Sequence, residues 1–325
     1  MTDEMDVTES IDRLRELVAQ HRQSAADSAR PAIGCVMTMG ALHAGHRRLI
    51  ETSVAECAAT VVTIYVNPTQ FAPGEDFAAY PRPLEADLEV CRAAGAAVVL
   101  TPTDAVLYPP GFQTVVTVEE LTKPLEGATR PSHFRGVTTV VLKLLNIVQP
   151  DVAYFGQKDF QQQATLRRMT HDLNVPCRIA TVPTVREADG LALSSRNAYL
   201  DKRQRRLARI LSRALRAATE RWQAASDAPA GRATADETSA SNAAAAMAAA
   251  AMAAEAVLRE TFADEPDVAL DYARVCDSAT LRPAAEWAED AQTFDPVALV
   301  AARVGSTRLI DNHRLAEPFP AVSSS

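Results

Sequence analysis

Residues 37–50, MTMGALHAGHRRLI, decide the fold of this chain. They follow a short apolar run at 32–36, which has the composition of a buried parallel strand. After His46 the apolar spacing becomes helical, with Leu49 and Ile50 on one side. The stretch therefore predicts a strand, a glycine-containing turn and the start of a helix.

The start of that helix has the features of an anion-binding site. Its unpaired N–H groups and the positive end of the helix dipole suit a phosphate. His43 and His46 are three residues apart, so their rings share a face and can donate to one anion. Gly45 between them would let a phosphate or a flat base approach the backbone. Two surface histidines are the alternative interpretation, whereas zinc is disfavoured because no nearby Glu or Cys completes a ligand set.

Composition limits the class of protein. The 325 residues are 47% hydrophobic, which is typical of a globular chain with one large or two medium domains. The net charge of −8 argues against a broad nucleic-acid surface. The five cysteines form no CxxC pair, which indicates a reducing, cytoplasmic location. The N-terminus has no apolar signal core, and no apolar run is long enough to span a membrane.

Strand and helix patterns alternate along the first 185 residues. After the opening strand, apolar runs at 59–66, 96–100, 152–155 and 178–185 predict further strands, with helical patterns between them. This order predicts an α/β fold, a Rossmann-like doubly wound parallel sheet of the nucleotidyltransferase and class I synthetase type. Residues 113–118 alternate and predict a separate edge strand, and residues 130–136, RPSHFRG, are predicted to form a basic loop.

A smaller α+β domain is predicted for residues 186–325. It begins with a polar loop and a strongly basic helix at 202–222, and strands are expected at 268–275, 297–304 and 307–312. Residues 224–238 read as a linker, and an Ala-rich helix is expected at 241–262. The stretch 224–262 is interpreted as an insertion of unknown role.

Polar loops follow several of the predicted strands, at the edge where doubly wound sheets bind ligands. Lys158, Arg196 and the two histidines are donors for a polyphosphate, and Ser194 and Ser195 add hydroxyls. Each has a plain alternative, since Lys158 could lie in a surface turn and Arg196 could cap a helix.

Other side chains suit the rest of a nucleotide and a small acid. Asp159 could bond a ribose hydroxyl or steady Lys158. Asp87 could help to place Mg²⁺, although as one of several acids on its helix it is more simply read as a solvated side chain. Gln70 and Gln162 are neutral amides that could orient a small polar acid.

Several common motifs are absent from the sequence. It contains no P-loop, no dinucleotide GxGxxG fingerprint and no GxSxG nucleophile elbow. Histidines with Lys and Ser/Arg loops instead suit attack on an α-phosphate with pyrophosphate leaving. That reaction needs positioning and charge neutralisation but no enzyme nucleophile.

At this point the motifs resemble those of a known family. The segment MTMGALHAGH (37–46), together with YVNPTQF (65–71), the run 130–162, TVREADGLALSSRN (184–197) and AARVGSTRLIDN (301–312), is similar to the pantothenate synthetases. The resemblance implies a homodimeric, magnesium-dependent ligase. ATP and (R)-pantoate would form pantoyl adenylate and pyrophosphate, and β-alanine would then release AMP and pantothenate.

The resemblance also implies roles for single residues. His46, His43, Lys158 and Arg196 would be catalytic, while Gln70 and Gln162 would hold pantoate, with Gln70 also near β-alanine. ATP would be bound by two loops and their neighbours: Met39, Gly40, Ala41, Leu42, His43, Ala44, Gly45, His46, Gly156, Gln157, Lys158, Asp159, Val185, Leu193, Ser194, Ser195 and Arg196.

The sequence departs from the family pattern at two positions and leaves two other functions open. Met37 stands where the family usually has Pro, and Gln157 stands where many members have Glu. A nucleotidyltransferase acting on a small phosphorylated acceptor is the alternative enzyme. A synthetase-like RNA-binding module is the non-catalytic alternative, and the acidic composition counts against it.

Overall fold

The computed structural model describes residues 5–72, 74–75, 77–226, 237–287 and 294–320. It divides between Val185 and Arg186 into two compact units, and each is described by itself below. Within the described residues, no helix combines the length and the apolar character that crossing a membrane requires.

The first unit alternates strands and helices. Its strands are β1 (Asp6–Thr8), β2 (Ile33–Thr38), β3 (Ala59–Ile64), β4 (Val98–Leu100), β5 (Val152–Gly156) and β6 (Arg178–Val182). Its helices are α1 (Ile11–Ser24), α2 (Ala44–Glu56), α3 (Leu84–Ala93), α4 (Asp104–Leu107), α5 (Glu126–Thr129), α6 (His133–Val148) and α7 (Phe160–Asp172). Single 3-10 turns follow two of the strands, at Pro68–Gln70 and Gln157–Asp159.

The six strands form one parallel sheet in the order β1-β4-β3-β2-β5-β6. The central strands are continuous apolar runs because both faces are covered; Cys35, Val61 and Ala153, aligned across β2, β3 and β5, are all fully buried. The chain leaves β2 toward β3 and β4 and later returns to the opposite side of β2 with β5. This arrangement confirms the doubly wound prediction and places the switch point between β2 and β5.

Two predictions for the first unit differ from the structure. The basic loop expected at 130–136 is partly helical, because α6 already begins at His133. Residues 113–118 join neither of the two sheets formed by the described residues, so the edge-strand prediction is wrong for the single chain. The reason is that Val116 bonds to side chains of α6 in place of a strand: its N–H donates to Thr139 and its carbonyl accepts from Thr138.

The second unit is a small α+β layer, as the sequence predicts. Its elements are α8 (Lys202–Ala208), α9 (Ile210–Ser226), α10 (Glu237–Ala263), β7 (Val268–Asp277), β8 (Pro296–Val304) and β9 (Thr307–Arg314). The three strands pair antiparallel in the order β7-β8-β9. The single basic helix expected at 202–222 is two helices, because α8 ends before Arg209 and α9 begins at Ile210.

The Ala-rich stretch packs through small side chains. Ala244, Ala248, Ala251 and Ala254 of α10 are buried at helical spacing, and the last three join one core with Leu215 of α9. Most of the predicted linker, residues 227–236, lies outside the described part of the chain.

Candidate active site

The buried carboxylate of Asp87 holds the backbone of the turn after β2. Gly40 and Ala41 both have positive φ, at 82° and 51°. This conformation is costly for an alanine. Asp87 of α3 accepts the N–H of Ala41 at 2.9 Å and that of Leu42 at 2.7 Å. A Cβ at Gly40 would lie 2.9 Å from the same carboxylate, so the turn depends on glycine there.

The environment of Asp87 disfavours the expected role of a magnesium ligand. Its side chain is 2% exposed, and each carboxylate oxygen already accepts a backbone N–H. A carboxylate whose two oxygens both hold the backbone of the turn is a poor ligand for a magnesium ion. Among the described residues, no group of three or more His, Cys, Asp or Glu is arranged to hold a metal ion. The residues therefore do not fit a magnesium ion held by the protein alone.

The two histidines cap the first turn of α2. His43 is the N-cap residue, and its Nδ1 accepts the N–H of Gly45 at 3.1 Å. The Nδ1 of His46 in turn accepts the N–H of His43 at 3.4 Å. Because both Nδ1 atoms accept, each neutral ring carries its proton on Nε2. The ring centroids are 4.2 Å apart, and no acceptor among the described residues takes either Nε2–H.

Both histidines are held in the neutral form. Burial and, after it, the nearby His43 ring and Lys158 together lower the pKa of His46 to about 3. Burial and then Lys158 lower the pKa of His43 as well, while Asp159 opposes both shifts. At neutral pH the pair therefore offers two Nε2–H hydrogen-bond donors and no positive charge of its own.

The positive charge comes from Lys158, in the turn after β5. Its side chain is 18% exposed and lies 3.6 Å from the carboxylate of Asp159. Because β5 is the neighbour of β2 across the switch point, this turn lies beside the histidines, as the electrostatic effect of Lys158 on their pKa values reflects. The adjacent Gln157 is buried. The structure thus brings together His43, His46, Lys158 and Asp159, as the sequence predicts.

Gln70 lies in the 3-10 turn that follows β3. Its side chain is 7% exposed, and its Nε2 lies 2.8 Å from the sulfur of Met39, a weak acceptor. The turn packs closely on the start of α6: a Cβ on Gly136 would lie 2.4 Å from the carbonyl oxygen of Thr69. The amide of Asn67 donates to Gln70 Oε1 at 3.0 Å. The sequence motif contained Asn67, but its role was not predicted.

The structure separates the three consecutive glutamines of α7. Gln161 bonds the carbonyls of Leu121 and Pro124, and Gln163 accepts from Thr181. Gln162 is half-buried, and its amide has no hydrogen-bond partner in the described part of the chain. The amide of Gln162 is therefore available to a ligand, whereas its two neighbours are structural.

An ion pair that the sequence did not reveal supports the residues after Gln70. Arg130 binds Glu75 in a bidentate manner: its Nε donates to Oε1 at 2.7 Å and its Nη2 donates to Oε2 at 2.6 Å. The two side chains are only 19% and 25% exposed. The ring of His133 lies 2.9 Å from the carbonyl of Gln70. Burial lowers the pKa of His133 to about 4, so the neutral ring donates this bond through Nδ1–H. Arg130 and His133 both lie in the predicted basic loop at 130–136, but their partners, Glu75 and Gln70, are distant from it in sequence.

The remaining predicted ATP residues lie at the boundary or in the second unit. Val185 ends the first unit, and Leu193–Arg196 belong to the second. Ser194 caps a 3-10 helix, Ser195–Tyr199, by accepting the N–H of Arg196 at 3.3 Å. The Ser195 and Arg196 side chains are exposed. Their assignment to an ATP site stays a prediction.

Comparison with known proteins identifies similar chains. Residues 6–314 match the family model described as pantoate-beta-alanine ligase. The chain is 44% identical to the pantothenate synthetase of Heliobacterium modesticaldum over 93% of its own length and 97% of that protein. It is 47% identical to pantothenate synthetase 1 of Bradyrhizobium diazoefficiens over 91% of its length and 95% of the relative.

Solved structures agree with the sequence relatives. The pantothenate synthetase from Thermus thermophilus matches with a TM-score of 0.77 and 38% identity, covering 96% of this chain and 99% of that one. The pantoate-beta-alanine ligase from Francisella tularensis, complexed with beta-gamma ATP and beta-alanine, matches with a TM-score of 0.68 and 28% identity, covering 97% and 99%.

Proposed function

The chain belongs to the pantoate–β-alanine ligase family, and we propose that its first unit carries out the adenylating half of that ligation. The overall reaction condenses (R)-pantoate with β-alanine to pantothenate and converts ATP to AMP and pyrophosphate. The relatives support this ligation and not the alternative nucleotidyltransferase. The single observation that supports the site best is the pair of Nε2–H donors beside Lys158.

In the first step a pantoate carboxylate oxygen attacks the α-phosphorus of ATP. The new P–O bond forms as the bond between the α-phosphorus and the oxygen that bridges it to the β-phosphorus breaks. Pyrophosphate leaves with the electron pair of the broken bond. Negative charge grows on the phosphate oxygens, so fixed donors there lower the barrier. We assign this role to His43, His46 and Lys158, and ATP contact to the turn 39–46 and the turn 156–159.

His46 acts in this proposal as a neutral hydrogen-bond donor and not as a proton donor. A ring whose pKa is about 3 carries almost no extra proton at neutral pH. Pyrophosphate also needs no proton to leave, because Lys158 and the two Nε2–H groups compensate its charge. The histidines therefore contribute through preorganisation, since their Nδ1 bonds fix the rings before the substrate binds.

Pantoate is assigned to the amides of Gln70 and Gln162. Neutral amides orient a carboxylate and hydroxyls without trapping the acid in a tight ion pair. In the second step the amine of β-alanine, also assigned to Gln70, attacks the acyl carbon. The C–N bond forms, and the bond between the acyl carbon and the AMP oxygen breaks. The attacking nitrogen, which is positively charged after the attack, loses a proton to solvent.

Other assignments depend on the family motifs. Val185, Leu193, Ser194, Ser195 and Arg196 are proposed as further ATP ligands, with Arg196 neutralising phosphate. The nucleotide substrate is proposed to be the magnesium complex of ATP, in which the ion's ligands are phosphates and waters. We also propose a homodimer and a cytoplasmic location; all five cysteines are free thiols, which suits a reducing compartment.

The decisive experiment is pantoate-dependent exchange of labelled pyrophosphate into ATP, with magnesium and without β-alanine. Exchange that requires pantoate is expected, because the adenylate forms reversibly. Adding β-alanine should then release AMP and pantothenate in equal amounts. If neither exchange nor pantothenate appears in protein that binds ATP and pantoate, the proposal is wrong.

A further inference from the structure

The residues of the second unit that are proposed to bind ATP follow a short hairpin, 186–192. Arg186 and Ala192 pair as an antiparallel bridge. The turn between them contains Gly190, whose φ of 89° favours glycine and whose N–H donates to the carbonyl of Glu187 at 2.9 Å. The hairpin therefore fixes the point from which the next residues of the chain start.

The side chain of Asn197 ties the next segment, 193–196, back to this hairpin. Its Nδ2 donates to the carbonyl of Ala192 at 3.0 Å and to Oε1 of Glu187 at 2.9 Å. The N–H of Asn197 also donates to the carbonyl of Ser194 at 3.0 Å. The segment 193–196 is thus a small loop that begins at the hairpin and is closed onto it at its other end.

Glu187 decides which way the amide of Asn197 faces. An ionised carboxylate only accepts hydrogen bonds, so the NH₂ of Asn197 and not its oxygen must face Oε1. Arg205 of α8 holds the other side of the same carboxylate, because its Nη2 donates to Oε2. The Nε of Arg205 donates to Asp189 of the hairpin at 3.2 Å. The acceptor for Asn197 is therefore in place without a ligand.

A buried ion pair anchors the hairpin to the second sheet. Arg186 donates from Nη1 and Nη2 to the two carboxylate oxygens of Asp311 on β9, at 2.6 and 3.0 Å. The side chains are 8% and 2% exposed. Nη1 also donates to the carbonyl of Gly190 at 3.1 Å. The hairpin is thus a firm base for the loop that Asn197 closes.

The ordered loop adds little to the hydrophobic core. None of residues 193–199 is buried, and Ser195 and Arg196 are exposed. Ordering a loop costs conformational entropy, and burial of apolar surface offsets little of that cost here. A ligand that meets an ordered loop, however, binds without a further loss of entropy. The bonds of Asn197 therefore matter more to a ligand of the loop than to the fold.

We propose that Asn197 and Glu187 are positioning residues, which hold Leu193–Arg196 in the ATP-binding conformation before ATP binds. The inference rests on the assignment of Leu193–Arg196 to ATP made above and adds two residues to it. Neither residue needs to touch the nucleotide. They act through the backbone of the loop, so their effect is specific to ATP and does not extend to pantoate.

Asn197→Asp tests the proposal, because it places a carboxylate oxygen against Glu187. Calorimetric titration with ATP and magnesium should show a dissociation constant raised about 10–100-fold, the scale of one lost hydrogen bond to a charged group. The pantoate KM and the urea midpoint should stay close to those of the wild type. The matched control is Asn174→Asp, at an exposed residue after α7, and it should bind ATP normally.

A second variant separates positioning from a general loss of structure. Adding Glu187→Gln to Asn197→Asp restores a donor opposite an acceptor, with the polarity of the bond reversed, and leaves an amide oxygen for Arg205. ATP binding should recover at least about tenfold relative to Asn197→Asp alone. Normal ATP binding by Asn197→Asp, no recovery in the double variant, or an equal effect on pantoate would overturn the proposal.

The two proposals fail separately. Wild-type protein that binds ATP but catalyses no pantoate-dependent pyrophosphate exchange would overturn the ligase function. Weak ATP binding by Asn197→Asp, with recovery in the double variant, would still support the positioning role. Wild-type exchange together with normal ATP binding by Asn197→Asp would overturn the positioning role alone.

Discussion

The side-chain amide of Asn67 donates to Gln70 Oε1 at 3.0 Å and thereby directs the Nε2 donors of Gln70 to the other side, where Nε2 lies 2.8 Å from the sulfur of Met39. Asn67 is fully buried, and its Oδ1 accepts from the hydroxyls of Tyr108 at 3.0 Å and Thr69 at 2.9 Å. Since hydroxyl donors hold Oδ1, the NH₂ of Asn67 must face Gln70 and the carbonyl of Gly136. Tyr108 and Asn67 therefore position Gln70, the residue that is proposed above to bind the acid.

Asn67→Asp should impair pantoate binding. The new carboxylate oxygen repels Gln70 Oε1, so the Gln70 amide turns and presents an acceptor to the acid. We expect the pantoate KM to rise about 10–100-fold, the scale of one lost buried hydrogen bond, with little change in the ATP KM. Tyr108→Phe, which removes one of several donors to Oδ1, should give a smaller change in the same direction. Equal effects on both substrates in steady-state assays would contradict this role.

Asp87→Asn should destabilise the turn after β2. The amide replaces one acceptor with a donor that faces the N–H of Ala41 or Leu42, which costs about 1–3 kcal/mol of unfolding free energy. Urea unfolding measures this loss. The magnesium dependence of the rate should keep its midpoint. A stable variant whose activity requires more magnesium would instead support a metal-binding role for Asp87.

The buried histidines should make the fold sensitive to acid. Burial lowers the pKa of His46 to about 3 and that of His133 to about 4, from 6.5 in the unfolded chain. Between the folded and the unfolded pKa values, the unfolded chain binds more protons than the folded chain. The stability that the two neutral rings contribute is therefore fully present above pH 6.5 and is lost as the pH falls below it. Each histidine contributes a slope of at most about 1.4 kcal/mol per pH unit. Urea unfolding from pH 7 to 4 should show a shallower slope for His46→Asn, and an identical slope would contradict the neutral capped state.

Lys158→Ala and His46→Ala should each reduce pantoate-dependent pyrophosphate exchange about 100-fold or more, the usual effect of removing one preorganised donor. Lys123→Ala is a matched control, since Lys123 is exposed and pairs with Glu120 on the surface. Circular dichroism should show folded protein for each variant. A near-normal exchange rate in Lys158→Ala or His46→Ala would remove that residue from the catalytic assignment.

The pair between Arg130 and Glu75 should stabilise the segment after Gln70. Arg130→Lys keeps the charge but loses the two parallel bonds, and Glu75→Gln loses the carboxylate. A double-mutant cycle on unfolding free energy should give a coupling of about 1–2 kcal/mol, larger than that of an exposed pair. The exposed pair between Arg168 and Asp172 serves as the comparison. A coupling at that exposed pair as large as the one at Arg130 would refute this interpretation.

Local patterns in the sequence were sufficient for the strands other than the short β1, which was not predicted, for most helices and for the residues around the histidine turn. Strand and helix periodicity depends on neighbours a few residues away, so β2, β3 and β5 were located by composition alone. The segment 113–118 shows the limit of such patterns. Its alternation indicated an extended chain, but the partner of that chain, α6, could not be read from the segment itself.

The amino-acid order thus determined the doubly wound architecture, the family and the chemical groups available to the site. Tertiary structure alone decided what those groups do. Asp87 binds the backbone of the turn, and both histidines are Nε2–H donors because their Nδ1 atoms accept backbone N–H groups. Gln161 and Gln163 bond to the protein, whereas the Gln162 amide has no partner among the described residues. The physical reason is that hydrogen bonds are directional and short. Whether a side chain binds a ligand or the fold depends on groups such as Ala41, which lies 46 residues from Asp87 in sequence and 2.9 Å from it in space.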